Sequence, residues 1–269
     1  MPKRFFHLTI LFFSLLACEK DATKDLGIEK PIEPNKECKI LSNTRSDGQQ
    51  YQFVFKENTL QNIIGFNDFD TFIYTAGKLS RAVHSRTKNA YTLFEYNDKN
   101  QLSKITFEGT DSQGKKFSYP TVITYNNIGK IDKLVLNWPT FPDKVDTRFT
   151  YDANGNVKYI TAFLNGEWET ILENTEFDDK PSPYKNQKIG NILSYYMVYS
   201  LLSGGLNFTQ YLNTNNVKTA VVKRGFENIT YRYEYQYNTL GFPTKVDYTR
   251  TLNNRPTPMS ENFSYDCEL

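Results

Sequence analysis

Four segments of this chain carry one pattern: FEYNDKNQLSKI (Phe94 to Ile105), ITYNNIGKIDKL (Ile123 to Leu134), FTYDANGNVKYI (Phe149 to Ile160) and YQYNTLGFPTKV (Tyr235 to Val246). In each, a run of strand-forming residues ends on a tyrosine: Tyr96, Tyr125, Tyr151 or Tyr237. Asp or Asn follows at once, and Gly or Asn stands four places after the tyrosine, at Asn100, Gly129, Gly155 and Gly241. Apolar residues resume at Ile105, Leu134, Ile160 and Val246. FIYTAGKLSRAV around Tyr74 is a copy one residue shorter. Glu176-Phe177-Asp178-Asp179 begins another, and Phe263-Ser264-Tyr265-Asp266 ends the chain part-way through one. Such internal repetition constrains the fold more than any composition figure does.

The repeated chemistry is that of a turn. An Asp or Asn after a strand accepts backbone N–H groups further on, and Gly or Asn takes the left-handed conformation that reverses the chain. Each unit therefore reads as a β-hairpin with a short loop. Alternation is clearest from Tyr231 to Tyr237, where four tyrosines share one face and Arg232, Glu234 and Gln236 the other. Aromatic residues make up 15% of the chain, which favours β structure. The expected fold class is all-β, a single curved antiparallel meander of hairpins, free to roll or close into a barrel. A one-layer sheet has an apolar face and open edges, so it needs closure or cover.

At these residues the chain resembles the YD-repeat family, the Tyr-Asp…Gly strand repeats of large bacterial wall and toxin-shell proteins. It is similar, more closely, to a lipoprotein domain family of unknown function with a porin-like sheet. The closer match is carried by Gly241-Phe242-Pro243-Thr244-Lys245 and by the interruption from Phe177 through Pro181 and Pro183 to Tyr184. The similarity covers residues 38–269. Asn follows Tyr125 and Tyr237 where the family has Asp, and Asn100 replaces Gly. The many repeats and variable toxin end of the shell proteins are missing, so encapsulation is not implied.

The repeat breaks between Asp178 and Asn216. Ile189, Ile192, Leu193, Tyr196, Met197 and Leu201 fall at helical spacing, and Gly204-Gly205 stops the run. This predicts a helical insert within 178–216, with helix near 188–212 and a second short turn at Leu206 to Leu212. Its expected role is a plug or lid over the Tyr/Phe side of the sheet.

The N-terminus supplies an address. Lys3 and Arg4 precede an apolar run from Phe5 to Leu16, and Leu15-Leu16-Ala17-Cys18 closes it. This resembles a bacterial lipoprotein signal over residues 1–17, with lipid carried on Cys18. The run is too short to span a bilayer, which takes about 20 residues. Glu19 rather than Asp follows the cysteine, which by the same resemblance points to the outer membrane. Glu19-Lys20-Asp21 is similar to surface-export tags, favouring the cell surface over the periplasmic face. Residues 18–37 are charged and interrupted by Pro31 and Pro34, a tether unable to bury enough surface to fold. As a coil it holds the domain on the order of 25 Å from the membrane.

Lys3 and Arg4 are the only charged residues before Cys18, so their removal leaves 30 Lys and Arg against 30 Asp and Glu. A balanced surface offers no electrostatic reason to bind nucleic acid. With Cys18 lipidated, Cys38 and Cys267 remain at the two ends of the folded part. In an oxidising compartment they read as a disulfide that makes the first and last strands neighbours. Two unpaired thiols are the alternative.

Motifs for chemistry are sparse. His84, the sole histidine after Cys18, stands between Arg81 and Arg86 with no carboxylate to orient it, and reads as a surface residue. Gly109 to Lys116 looks like a phosphate loop, but Lys116 replaces the Ser or Thr, and the segment joins two strand patterns; it reads as a hairpin tip. Ser112…Lys115 and Ser182…Lys185 lack the companion motifs of Ser-Lys catalysis. Asp152-Ala153-Asn154-Gly155 lacks the ligand series of a calcium loop and reads as a turn. No metal site and no cofactor is expected. Trp138 and Trp168 lie near predicted loops, where an indole serves sugar stacking or protein contact. The expected function is non-catalytic: a lipid-anchored envelope protein recognising or scaffolding a glycan or another surface protein. The alternatives are a carrier of a hydrophobic ligand under the capped sheet and, behind it, a carboxylate-dependent glycan hydrolase.

Overall fold

The computed structural model describes residues 38–66, 71–84, 89–141, 143–185, 187 and 189–267. The signal segment, Cys18 and the tether lie outside the described residues. Within them, sixteen antiparallel strands form one sheet. They come as hairpins: β2 (Gln50–Lys56) with β3 (Thr59–Ile64), β4 (Thr71–Thr75) with β5 (Lys78–Val83), β6 (Ala90–Tyr96) with β7 (Leu102–Thr110). β8 (Lys116–Tyr125) pairs β9 (Ile131–Leu136), β10 (Val145–Tyr151) pairs β11 (Val157–Leu164), and β14 (Glu227–Tyr237) pairs β15 (Pro243–Leu252). β12 (Glu167–Pro181) and β13 (Asn215–Arg224) flank the insert. β16 (Arg255–Cys267) pairs β1 (Cys38–Arg45), although they are the last and first strands.

The turns form as their side chains dictate. The Oδ1 atoms of Asn97, Asn126, Asp152 and Asn238 each accept the N–H groups two and four residues on. Asp111, in the segment resembling a phosphate loop, does the same, so that segment is a hairpin tip. Gly155 and Asn100 close two of these turns at φ of 85° and 61°.

Each hairpin also carries a β-bulge at its tyrosine. Thr150 faces Tyr159 but Tyr151 faces Val157, leaving Lys158 as the extra residue. The same step occurs at Tyr74, Tyr96, Tyr125 and Tyr237, and at Phe55 in β2. A bulge lets residues three apart face the same way, and so Ile131 with Leu134, and Val157 with Ile160, are all buried inward. It also disturbs the ladder, and the neighbouring hairpin's tyrosine satisfies the local carbonyl. Tyr125 donates to Leu102 O (2.8 Å), Tyr151 to Ile131 O (2.8 Å) and Tyr265 to Pro243 O (2.8 Å). In each case the acceptor immediately precedes the extra residue. Burial, with the nearby Tyr96, pushes the Tyr125 hydroxyl up to about 12, so it stays protonated and keeps donating.

The sheet order runs β3-β2-β1-β16-β15 and on down to β4, which makes β3 and β4 the two edges. They are consecutive in the chain, and Tyr74 of β4 donates to Leu60 O of β3 at 2.6 Å. This is the same latch, so the meander curls round into a nearly closed barrel. Beyond β2, two strands in from this seam, β1 and β16 pair in register Cys38↔Cys267, and the two cysteines are disulfide-bonded. The bulge recurs there too, with Leu41 as the extra residue. The barrel is thus eight strand pairs, one stapled by sulfur and one, β12 with β13, joined through the insert, where the others have a short loop.

The insert fills the interior. α1 (Ile189–Gly204) ends where Gly205 adopts φ of 66°, and a 3-10 turn follows at Thr209–Tyr211. The insert is shorter than the 178–216 span expected, because β12 runs on to Pro181. Asn216 ties the flanks by donating to Asp178 and to the Lys180 and Pro181 carbonyls. α1 itself carries apolar side chains around most of its circumference, as suits a helix packed within a core. Leu193, Met197, Val198 and Leu201 are fully buried, Tyr195 stacks on Trp138, and Tyr196 meets Phe66 edge-on. Gly190 is required where α1 starts, since a Cβ there would collide with the Tyr211 carbonyl.

The outer wall is polar. Arg232, Glu234 and Gln236 point out from β14, and Lys104–Glu95 and Lys218–Glu176 bridge exposed strands. A barrel that spans a bilayer turns apolar residues outward, and an Arg or Lys at the midplane costs about 2–4 kcal/mol. At these strands the wall has the opposite polarity, apolar within and charged without, while Val54, Ile64, Ile73 and Val83 are exposed on β2 to β5.

Candidate functional site

Two places gather side chains suited to recognition, one on each side of the wall. On the outside, Asn165 and Gly166, at φ of 51° and 89°, make the tight turn between β11 and β12. That turn sets Phe163 opposite Trp168, ring centroids 5.6 Å apart. On the next strand Arg148 lays its guanidinium over the indole, 4.0 Å from the centroid. Trp168 remains 40% exposed and Phe163 41%. Asp146, which faces Phe163 across the β10–β11 ladder, is held by Lys133 at 2.9 Å. The result is an aromatic pair, its rings inclined at 58°, bordered by an anchored cation and an acid–base pair.

Trp138 is elsewhere. It follows β9, donates its Nε1–H to Thr121 Oγ1 (3.1 Å), and packs among Phe107, Tyr119, Tyr195 and Tyr199 beneath α1. The two tryptophans do not share a surface. His84 is also inside, which corrects the expected surface position. It is buried, with Nε2 3.0 Å from Thr92 Oγ1 and its ring tilted against Phe107 at 4.7 Å. The flanking arginines misled the reading; the aromatic cluster around Trp138 is what takes the imidazole in.

On the inside, β1, β13, β14, β15, β16 and the segment after α1 line a partly open cavity of about 20 Å³, room for about one water molecule. Arg45 and its cross-strand partner Glu261 line it, only 6% and 5% exposed. Glu261 accepts from Asn43 (2.9 Å), Tyr248 (3.3 Å) and Gln210 (3.5 Å). Arg45 donates to Asp47 through Nη2 at 2.8 Å, while its buried Nε–H meets no acceptor. Burial works against the guanidinium's charge, but Glu261, with Tyr248, Asp47 and Tyr51, outweighs it and raises the group further. Tyr231, Tyr233 and Tyr235 stack into one wall, at 5.8 and 6.3 Å. Burial, with the neighbouring tyrosines for Tyr233 and with Asp178 and Glu261 for Tyr235, holds the two hydroxyls well above the ordinary range. Sequence reading placed this tyrosine ladder inward but missed the pair. The available signal was charge at inward-phase positions: Arg45 in step with Asn43, and Glu261 in step with Phe263 and Tyr265.

Among the described residues no group of three His, Cys, Asp or Glu side chains could hold a metal. No family model matches the chain, and no curated protein matches it. Among solved structures it is similar to a porin-like protein from Bacteroides uniformis, at 14% identity over 84% of this chain and 98% of that one, TM-score 0.45. It is also similar to a porin-like protein from Bacteroides vulgatus, at 12% identity over 84% and 98%, TM-score 0.38.

Proposed function

We propose that this chain is a YD-repeat-like lipoprotein, anchored to the outer membrane through Cys18 and facing the cell surface. There it recognises a glycan through the Trp168–Phe163–Arg148 surface, without catalysis. The observation that carries the reading is an exposed aromatic pair, pinned by a cation and bordered by an acid–base pair. Sugar rings offer C–H faces to an indole and hydroxyls to Arg and Asp, and Arg148 and Asp146 stand beside Trp168 for that pairing. The rigidity of the hairpin beneath favours binding, because little order remains to be imposed. Carriage of a hydrophobic ligand loses support, since α1 packs against the inner face of the sheet and the cavity beside Arg45 has room for about one water molecule.

The test is a glycan and envelope-protein array probed with the wild type and with Trp168→Ala. A glycan hit weakened at least tenfold by the substitution supports the reading. Hits confined to proteins, or a glycan hit indifferent to Trp168, overturn it.

A further inference from the structure

The interior pair has no role in that surface, yet it is costly to maintain. Two opposite charges lie almost fully out of water, and the donor of one is unmatched. Desolvating such groups exacts a penalty that well-packed apolar residues would avoid, and a buried unpaired N–H adds to it. A merely structural pair would be expected to close on itself, but Arg45 turns to Asp47 and Glu261 to Asn43, Tyr248 and Gln210. Both still face one cavity beside a stacked tyrosine wall.

We propose that this cavity is a binding site for a neutral hydroxyl-bearing ring, a sugar or similar polyol. Charge balance selects the class. A carboxylate would satisfy Arg45 but meet Glu261, and an ammonium would satisfy Glu261 but meet Arg45. A hydroxyl both accepts and donates, so one such group serves the Arg45 Nε–H and a Glu261 lone pair together. Tyr233, partly buried between Tyr231 and Tyr235, turns its ring edge rather than a face to the ligand, and partly buried Asn207 and Gln210 supply amides beside it. The cavity takes one hydroxyl arm, and the ring itself seats against the tyrosines at the mouth. This site is independent of Trp168.

Three probes with one ring and different charge test it: glucose, glucuronate and glucosamine, titrated into the full chain and followed by NMR at the Arg45 Nε–H. Glucose is expected to shift that resonance, with glucuronate and glucosamine at least tenfold weaker. Glu261→Gln should reverse the order of glucose and glucuronate, and Tyr233→Phe should leave the fold intact and weaken glucose less than Tyr233→Ala. Trp168→Ala should leave the Arg45 shift unchanged, which separates this site from the outer surface. An unmoved Arg45 resonance with all three probes, or equal binding of glucose and glucuronate, overturns the proposal.

Discussion

Replacing Cys38 or Cys267 by serine is expected to lower the unfolding free energy by about 5 kcal/mol, the chain-entropy value for so long a loop. The bond joins residues 229 apart in sequence and takes the place of a turn in the β16–β1 pair. Without it, β1 and β16 are held by ladder bonds, by Ser42–Ser264 and by Asn43–Glu261, and their encounter must be won from the whole chain's freedom. Urea unfolding of the two single variants, and of the wild type with and without reductant, measures the loss. A fall of less than about 2 kcal/mol, below the usual cost of removing a native bridge, would show that the seam between β16 and β1 is secured by other means. A circular permutant that joins residue 267 to 38 through an Asp-Ala-Asn-Gly turn, opened at Asn165-Gly166, should regain most of the stability. That recovery is specific to the eight-pair reading.

Leu193→Ala is expected to cost about 2–5 kcal/mol, the range for truncating a buried leucine. Leu193 is 1% exposed on the buried side of α1, so the surroundings have little freedom to collapse into the hole. Ser203→Ala, at the helix's exposed position, should change stability by less than about 0.5 kcal/mol. Thermal and urea denaturation of both variants make the comparison. Equal effects would mean that α1 lies outside the barrel.

The parts of this fold that were legible in sequence are those written in short-range chemistry. Tyr96-Asn97 to Asn100 and Tyr151-Asp152 to Gly155 spell a turn in a handful of residues, because one side-chain oxygen meets two nearby N–H groups. The helix was legible from its spacing and its glycine stop. Strict alternation failed at the bulges: Ile131 and Leu134 are three apart and both inward, a spacing that by itself mimics a helix. The bulge depends on a register set across strands, which no single strand displays. Long-range placement was likewise hidden. Trp138 goes under α1 and His84 beside Phe107 because the sheet curls, whereas Trp168 stays outside because the Asn165-Gly166 turn fixes its phase. Arg45 and Glu261 meet only because the chain's ends pair, so the interior charge pair follows from the same closure as the disulfide.

The central claim is that α1 is the core of a curled wall of hairpins, and native-state amide exchange at residues 189–204 tests it most directly. The account predicts that these amides exchange only through global opening, as slowly as those of the interior strands β14 and β15, while the edge strands β3 and β4 exchange faster. Exchange of the helix within seconds, with the strands still protected, would contradict it.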